Sequence, residues 1–239
     1  MISVAEALTH VTDTFSPLEP EPVALGDCLG RVLADDLASA TSHPPVAVSS
    51  MDGYAVRAAD TPGVLKLIGE SQAGGGFDGT VGTGETVRIF TGAPLPAGAD
   101  AVVMQENTAA AEDGVRMQES VPEGKFIRPA GMDFSVGDVL LGAGTVLNAR
   151  HIGLAAAMNA PELLVRRKPK VAVLATGDEV VMPGQPMGSS QIVSSNSFLL
   201  AAFVRALGGQ PVDLGIAGDT VEHLTSAIDG AMGCDLLIT

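Results

Sequence analysis

The chain has 239 residues, 46% hydrophobic and 17% charged, which is enough apolar side chain to bury a core and too much for bulk disorder. A net charge of −15 argues against nucleic acid as the main partner, because phosphate binding needs clustered Lys and Arg. No apolar run approaches the roughly 18 residues of a membrane span, and the N-terminus lacks the basic-then-apolar pattern of a secretory signal, so a cytoplasmic protein is expected.

Ser3-Val-Ala-Glu6 reads as a capping box. Val4, Ala7, Leu8, Val11 and Phe15 follow at helical spacing, and Pro17 and Pro20 end that helix. Leu29 to Leu37 predicts a second, shorter helix. From about Thr41 to Gly137 the chain becomes short β-prone runs broken by Gly and Pro, such as Val64–Ile68, Thr86–Phe90 and Ala101–Met104. That density of turns predicts a small barrel or sandwich inserted between more helical segments. Aromatics make up only 3%, so its core must be aliphatic.

Asn148 to Asn159 is helical in pattern again. Arg166, Arg167, Lys168 and Lys170 flank Pro169 and read as a solvated linker. Val171–Ala175 is a continuous apolar run, as expected of a parallel strand buried on both faces. Phe198–Leu207 is helical and Gly208-Gly209 stops it; Pro211–Ile216 is a strand; Asp219 to Glu222 opens another helix with Asp219 as its cap; Asp235–Thr239 is a third strand. This alternation predicts a doubly wound α/β domain, in which ligands bind beyond the carboxyl ends of the strands. The chain ends at such a carboxyl end, so that domain is expected to be incomplete.

Several segments can carry chemistry. Thr176-Gly-Asp-Glu179 presents two carboxylates at a strand tip, where a metal ligand would sit, although a polar turn has the same composition. Ser49–Arg57 contains Asp52-Gly53, a good hairpin turn. Thr91-Gly-Ala-Pro-Leu-Pro-Ala-Gly98 is either an amide cradle for an oxyanion or a rigid connector. Arg128 and Asp133 supply a cation and a carboxylate, for oxyanion binding or a structural ion pair. His10, His43, His151 and His223 are scattered and form no Ser-His-Asp pattern, and Gly74–Gly76 lacks the Lys of a P-loop. Cys28 and Cys234 match no metal spacing and read as buried thiols.

Taken in order, Ser50–Arg57, Thr91–Pro94, Val102–Glu106, Arg128 with Gly131 and Asp133, Leu174–Glu179, Ser195-Asn196, Leu214–Ile216 with Asp219, and Asp235–Thr239 resemble the molybdopterin molybdenumtransferases. This is the MoeA-like family that includes the gephyrin E domain, and the match covers essentially the whole chain. The resemblance implies insertion of molybdenum from molybdate into adenylylated molybdopterin, with release of AMP and a requirement for Mg²⁺. It implies Asp52, Thr91, Asp133, Glu179 and Asp219 as catalytic residues. Gly92, Arg128, Ser195 and Asn196 would bind substrate, and Glu179 and Asp219 the metal.

It further implies a homodimer supplied by molybdopterin adenylyltransferase. A non-catalytic dimeric scaffold of the same fold, or an enzyme handling tungstate, is the alternative. The expected divisions are an N-terminal helix packing on the α/β domain (1–19), an elongated linker domain (20–40 and 138–168), a β-rich insert (41–137) and the α/β molybdopterin-binding-like domain (169–239). Family members continue past the third α/β strand, so this chain alone is expected to be inactive. Two anions meeting on a protein of charge −15 repel, and a carboxylate-held Mg²⁺ would reverse the local sign.

Overall fold

The computed structural model describes residues 2–239. After α1 (Val4–Thr14) come β1 (Pro20–Ala24) and β2 (Leu37–Ala38). A β-rich stretch follows: β3 (Val48–Ser49), β4 (Gly53–Val56), β5 (Gly63–Ser71), β6 (Glu85–Ile89), β7 (Ala101–Met104), β8 (Thr108–Ala111), β9 (Gly114–Met117), β10 (Ile127–Arg128) and β11 (Val139–Leu141). The chain continues through α2 (Ala149–Ala157), β12 (Glu162–Arg166), β13 (Lys170–Thr176), β14 (Val180–Val181), β15 (Ile192–Val193), α3 (Asn196–Ala206), β16 (Gln210–Ala217), α4 (Val221–Asp229) and β17 (Leu236–Ile238).

These elements form two compact units. One comprises the residues up to Asp36 with Gly142–Gly153 and Pro161–Thr239; the other comprises Leu37–Leu141 with Leu154–Ala160.

The first unit holds the predicted α/β layer. β13 is central, with β16 and β17 parallel on either side. Val171, Ala172, Val173 and Leu174 are all buried, as a strand covered on both faces requires. The chain leaves β13, passes through α3 to β16, then returns through α4 to β17 on the opposite side. The winding direction therefore reverses at β13, and the crevice at its carboxyl end is where such folds bind ligands. α1 starts at the expected capping box: Ser3 Oγ accepts from the Glu6 amide at 3.2 Å, and the Glu6 carboxylate accepts from the Ser3 amide at 2.7 Å. None of its residues is buried, and Val4, Leu8 and Val11 of its apolar stripe are exposed.

Two expectations for this unit are corrected. Leu29–Leu37 is not helical. Gly30 takes a left-handed φ of 75°, and the segment pairs as extended chain, with Leu33 N donating to Thr145 O and Ala34 N to Leu164 O, both at 2.9 Å. The basic cluster is a solvated linker only at Lys168 and Lys170, which are exposed; its arginines are engaged. Arg167 forks onto Asp235 at 2.6 and 2.7 Å, and Arg166 donates to the Leu18 and Ala34 carbonyls.

The second unit is built on one six-stranded mixed sheet of order β7-β4-β6-β5-β9-β8, rather than a closed barrel or a two-sheet sandwich. Side chains of successive residues go to opposite faces, so Val56 and Val103 join one core cluster while Ala55 and Val102 join another. Asp52-Gly53 is not a hairpin turn: β3 pairs with β10, whereas Gly53 already lies in β4 between β6 and β7. No described helix is long and apolar enough to cross a membrane.

Candidate functional site

In the second unit the two-residue strand β3 laces three loops together. On one side Ser49 pairs with Ile127 and Val48 with Arg128. On the other, Ser49 N donates to Ala93 O at 3.0 Å and Gly92 N to Ser49 O at 2.8 Å. Phe90–Ala93 forms a tight turn closed by Ala93 N to Phe90 O at 2.9 Å, and its third residue, Gly92, has φ of 80°, where glycine has no steric penalty. Ser49 Oγ, bonded to both the amide and the carbonyl of Met51, bends the chain just before Asp52.

The result is a latch. Thr91 donates its amide and its hydroxyl to Asp52 Oδ1, both at 2.8 Å. The amide bond first, then the hydroxyl bond, hold the Asp52 carboxyl below the usual carboxylate range. Asp52, Thr91 and Gly92 are all exposed, so an ionised carboxylate and a glycine-opened turn face solvent side by side.

Arg128 and Asp133 pair with each other at 2.8 Å, through Asp133 Oδ2. His43 Nε2 lies 3.8 Å from the same oxygen, and its ring stacks on Phe134. Both members of the ion pair remain about two-fifths exposed, so they can still meet a ligand.

In the α/β unit, Gly177 (φ 129°) turns the chain off β13, and its amide returns to the Ala217 carbonyl at 3.0 Å. A cavity of about 310 Å³ opens at that strand end, lined among others by Thr176, Glu179, Ser194, Ser195, Asn196 and Thr239. α3 begins there, and its N-cap Ser195 makes no side-chain capping bond, so the first-turn amides remain available to an anion. Ser194 and Ser197 are buried and bonded to each other through their hydroxyls, which fixes the loop from β15 into the helix.

Asp219 does not join Glu179 in that cavity. Its amide donates to Asp178 Oδ1 at 3.2 Å, and the helix cap expected of it belongs to Thr220, whose Oγ1 accepts from the His223 amide. Asp178 lines a neighbouring groove with His223 and Ser226. Among the described residues no group of three or more His, Cys, Asp or Glu is arranged to hold a metal. Glu179 with the hydroxyls beside it still suits Mg²⁺, which commonly takes one or two carboxylates and fills its remaining positions with water and substrate oxygens.

Asp52, Thr91, Gly92, Arg128 and Asp133 thus belong to one unit, and Glu179, Ser195, Asn196 and Asp219 to the other. Sequence reasoning missed Ser194 and gave no role to Thr176 and Thr239, which line the cavity with it. It also missed Arg88, which bonds the Gly53 carbonyl next to Asp52. Its strand alternation was the available signal, since an Arg between buried Val87 and Ile89 must point to the opposite face of the sheet from theirs.

The profile of the MoeA N-terminal region, domains I and II, matches residues 2–159, and that of a probable molybdopterin binding domain matches residues 172–239. The chain is 38% identical over 232 residues to the molybdopterin molybdenumtransferase of Nostoc sp., covering 94% of this chain and 53% of that protein. It is 38% identical to molybdopterin molybdenumtransferase 2 of Mycobacterium tuberculosis, covering 100% of this chain and 61% of that protein. Among solved structures, the molybdopterin biosynthesis MoeA protein of Pyrococcus horikoshii superposes with a TM-score of 0.90 at 33% identity, over 99% of this chain and 63% of that one. The chain therefore spans between half and two thirds of the length of these relatives. With both profiles matched in order and the fold superposing along nearly all of its length, the chain belongs to the MoeA family.

Proposed function

We propose that this chain serves molybdenum cofactor biosynthesis as part of a molybdopterin molybdenumtransferase. It would insert molybdenum from molybdate into adenylylated molybdopterin and release AMP. The observation that carries this reading is the cavity at the end of β13, which Glu179 lines together with Ser195, Asn196 and the uncapped start of α3. A donor-rich helix start opposite a carboxylate suits a substrate that brings phosphate and a hard cation together.

In this reading Ser195, Asn196 and the first-turn amides of α3 hold substrate phosphate, and Glu179 holds Mg²⁺. The bound ion would offset anionic charge and polarise the phosphoanhydride. Thr91 keeps Asp52 ionised and aimed, and Gly92 leaves its turn open to an oxyanion. Arg128, set by Asp133, supplies a fork for oxyanion oxygens. An oxygen of water or molybdate adds at phosphorus as AMP leaves, so no side-chain nucleophile is required. Adenylylated molybdopterin would come from molybdopterin adenylyltransferase in the cytoplasm. The chain would act as a homodimer, for which the exposed stripe Val4, Leu8 and Val11 offers a partner surface.

The test is AMP release from adenylylated molybdopterin with molybdate and Mg²⁺, comparing this chain with a form extended to the length of its relatives. The extended form should turn over, and Glu179→Gln within it should lose on the order of a hundredfold. Undiminished turnover by that variant would remove Glu179 from the reaction.

A further inference from the structure

We infer that Arg88 is a positioning residue that sets the Asp52–Thr91 latch from behind. The inference rests on the role proposed above for Asp52.

Arg88 lies on β6, directly across from Tyr54 on β4. Its Nη1 donates to the Gly53 carbonyl at 3.2 Å, and its Nη2 to Gln105 Oε1 at 2.5 Å. Gln105 in turn donates its backbone N–H to the Asp52 carbonyl at 3.1 Å. The guanidinium thus fixes the residue after Asp52 directly, and Asp52 itself through one intermediate. Its carbon is also 5.0 Å from the centroids of both the Tyr54 and Phe90 rings. Phe90 is the residue immediately before Thr91, so this cation–π contact ties the other half of the latch to the same group.

With two of its N–H donors engaged and two rings against the guanidinium, Arg88 is committed to protein rather than to a ligand. A planar fork is needed for this, because a Lys ammonium cannot reach two diverging acceptors while lying against two rings. The positive charge also favours the ionised form of Asp52. The other charged group in register with Arg88 is Glu70 on β5, which is exposed and makes its side-chain bond to Gln72. Glu70 therefore leaves the guanidinium to the latch.

The test uses the full 239-residue chain, with Arg88→Met, Arg88→Lys and Gln105→Leu. The Asp52 carboxyl carbon and the Thr91 amide are followed by NMR through an acid titration, beside thermal unfolding. In Arg88→Met the Asp52 carboxyl should titrate at higher pH and the Thr91 amide signal should move, while unfolding stays cooperative. Arg88→Lys should restore the titration only in part and leave the Thr91 amide displaced. Gln105→Leu should displace the same amide with the charge untouched, and it carries the test if Arg88→Met fails to fold. In the extended form, Arg88→Met should lower the rate of AMP release by about tenfold to a hundredfold, with KM changed less. An unchanged Asp52 titration and Thr91 amide in Arg88→Met would overturn the inference. If both move but Asp52→Asn retains full AMP release, the positioning stands and the function assigned to Asp52 falls.

Discussion

Thr91 spends both of its local donors on a single oxygen of Asp52, each at 2.8 Å. Two bonds to Oδ1 orient the carboxyl plane and keep it charged. Thr91→Val removes the hydroxyl bond and leaves the amide bond, at nearly constant volume. The Asp52 titration should then move up toward the ordinary carboxylate range, read by NMR of its side-chain carbon. Because the folded value is depressed, the stability that the latch contributes is fully present above the ordinary carboxylate range and is lost as pH falls through the depressed folded value. The variant should therefore show a shallower loss of stability on acidification than the wild type.

Asp235 provides a second pH signature, in the α/β unit. Arg167 forks onto it and the Lys170 amide donates to it at 2.8 Å, which together lower its pKa to about 2. The ordinary value is 3.8, so the clasp is fully stabilising above that pH and is lost as pH falls through about 2. Asp235→Ala should destabilise the α/β unit by about 1 kcal/mol at neutral pH, a value discounted because both partners are partly exposed. Denaturant titration of wild type and variant at pH 7 and at pH 2 checks both points, and the difference should shrink at the lower pH.

Gly53 is a steric test of the β-rich unit. A Cβ built on it would lie 2.0 Å from the Val103 carbonyl oxygen. Gly53→Ala must push β4 from β7, at a cost of roughly 2 kcal/mol or more. Cooperative unfolding of that unit should move to markedly lower denaturant. A negligible change would mean that the two strands are not packed as described.

The two thiols should separate cleanly. Cys28 is fully buried, its Sγ lies near the Val23 and Ala24 carbonyls, and burial raises its pKa. Cys234 is only partly buried. A thiol reagent at pH 8 should modify Cys234 in the native chain and reach Cys28 only after unfolding, as mass spectrometry of the labelled peptides can show.

Legibility from sequence followed how local each determinant was. β13 could be read because a strand covered on both faces needs consecutive apolar residues, and Val171–Leu174 supply them. The α1 cap could be read because its bonds span three residues. Leu29–Leu37 misled because its partners, Thr145 and Leu164, are more than a hundred residues away. Asp219 and Thr220 are both good caps, and one residue of register decided between them. In the site, Asp52 and Thr91 stood out from the family's motifs, but the bond between them crosses 39 residues. Arg88's face of the strand could be read from alternation with Val87 and Ile89, but its contacts could not, because Tyr54 and Gln105 reach it only through sheet pairing.

The main segment of the β-rich unit, Leu37–Leu141, begins and ends beside itself. β2 and β11 are antiparallel partners, with Leu37 opposite Leu141 and Ala38 opposite Val139. Paired strands lie about 5 Å apart, a gap that a tight turn can close. Everything between them can therefore be lost or exchanged without stretching the chain that remains. The unit also brings its own two apolar clusters, so it need not borrow a core from its host. It is built as a detachable cassette, and its loops can diversify while the α/β layer keeps its own shape.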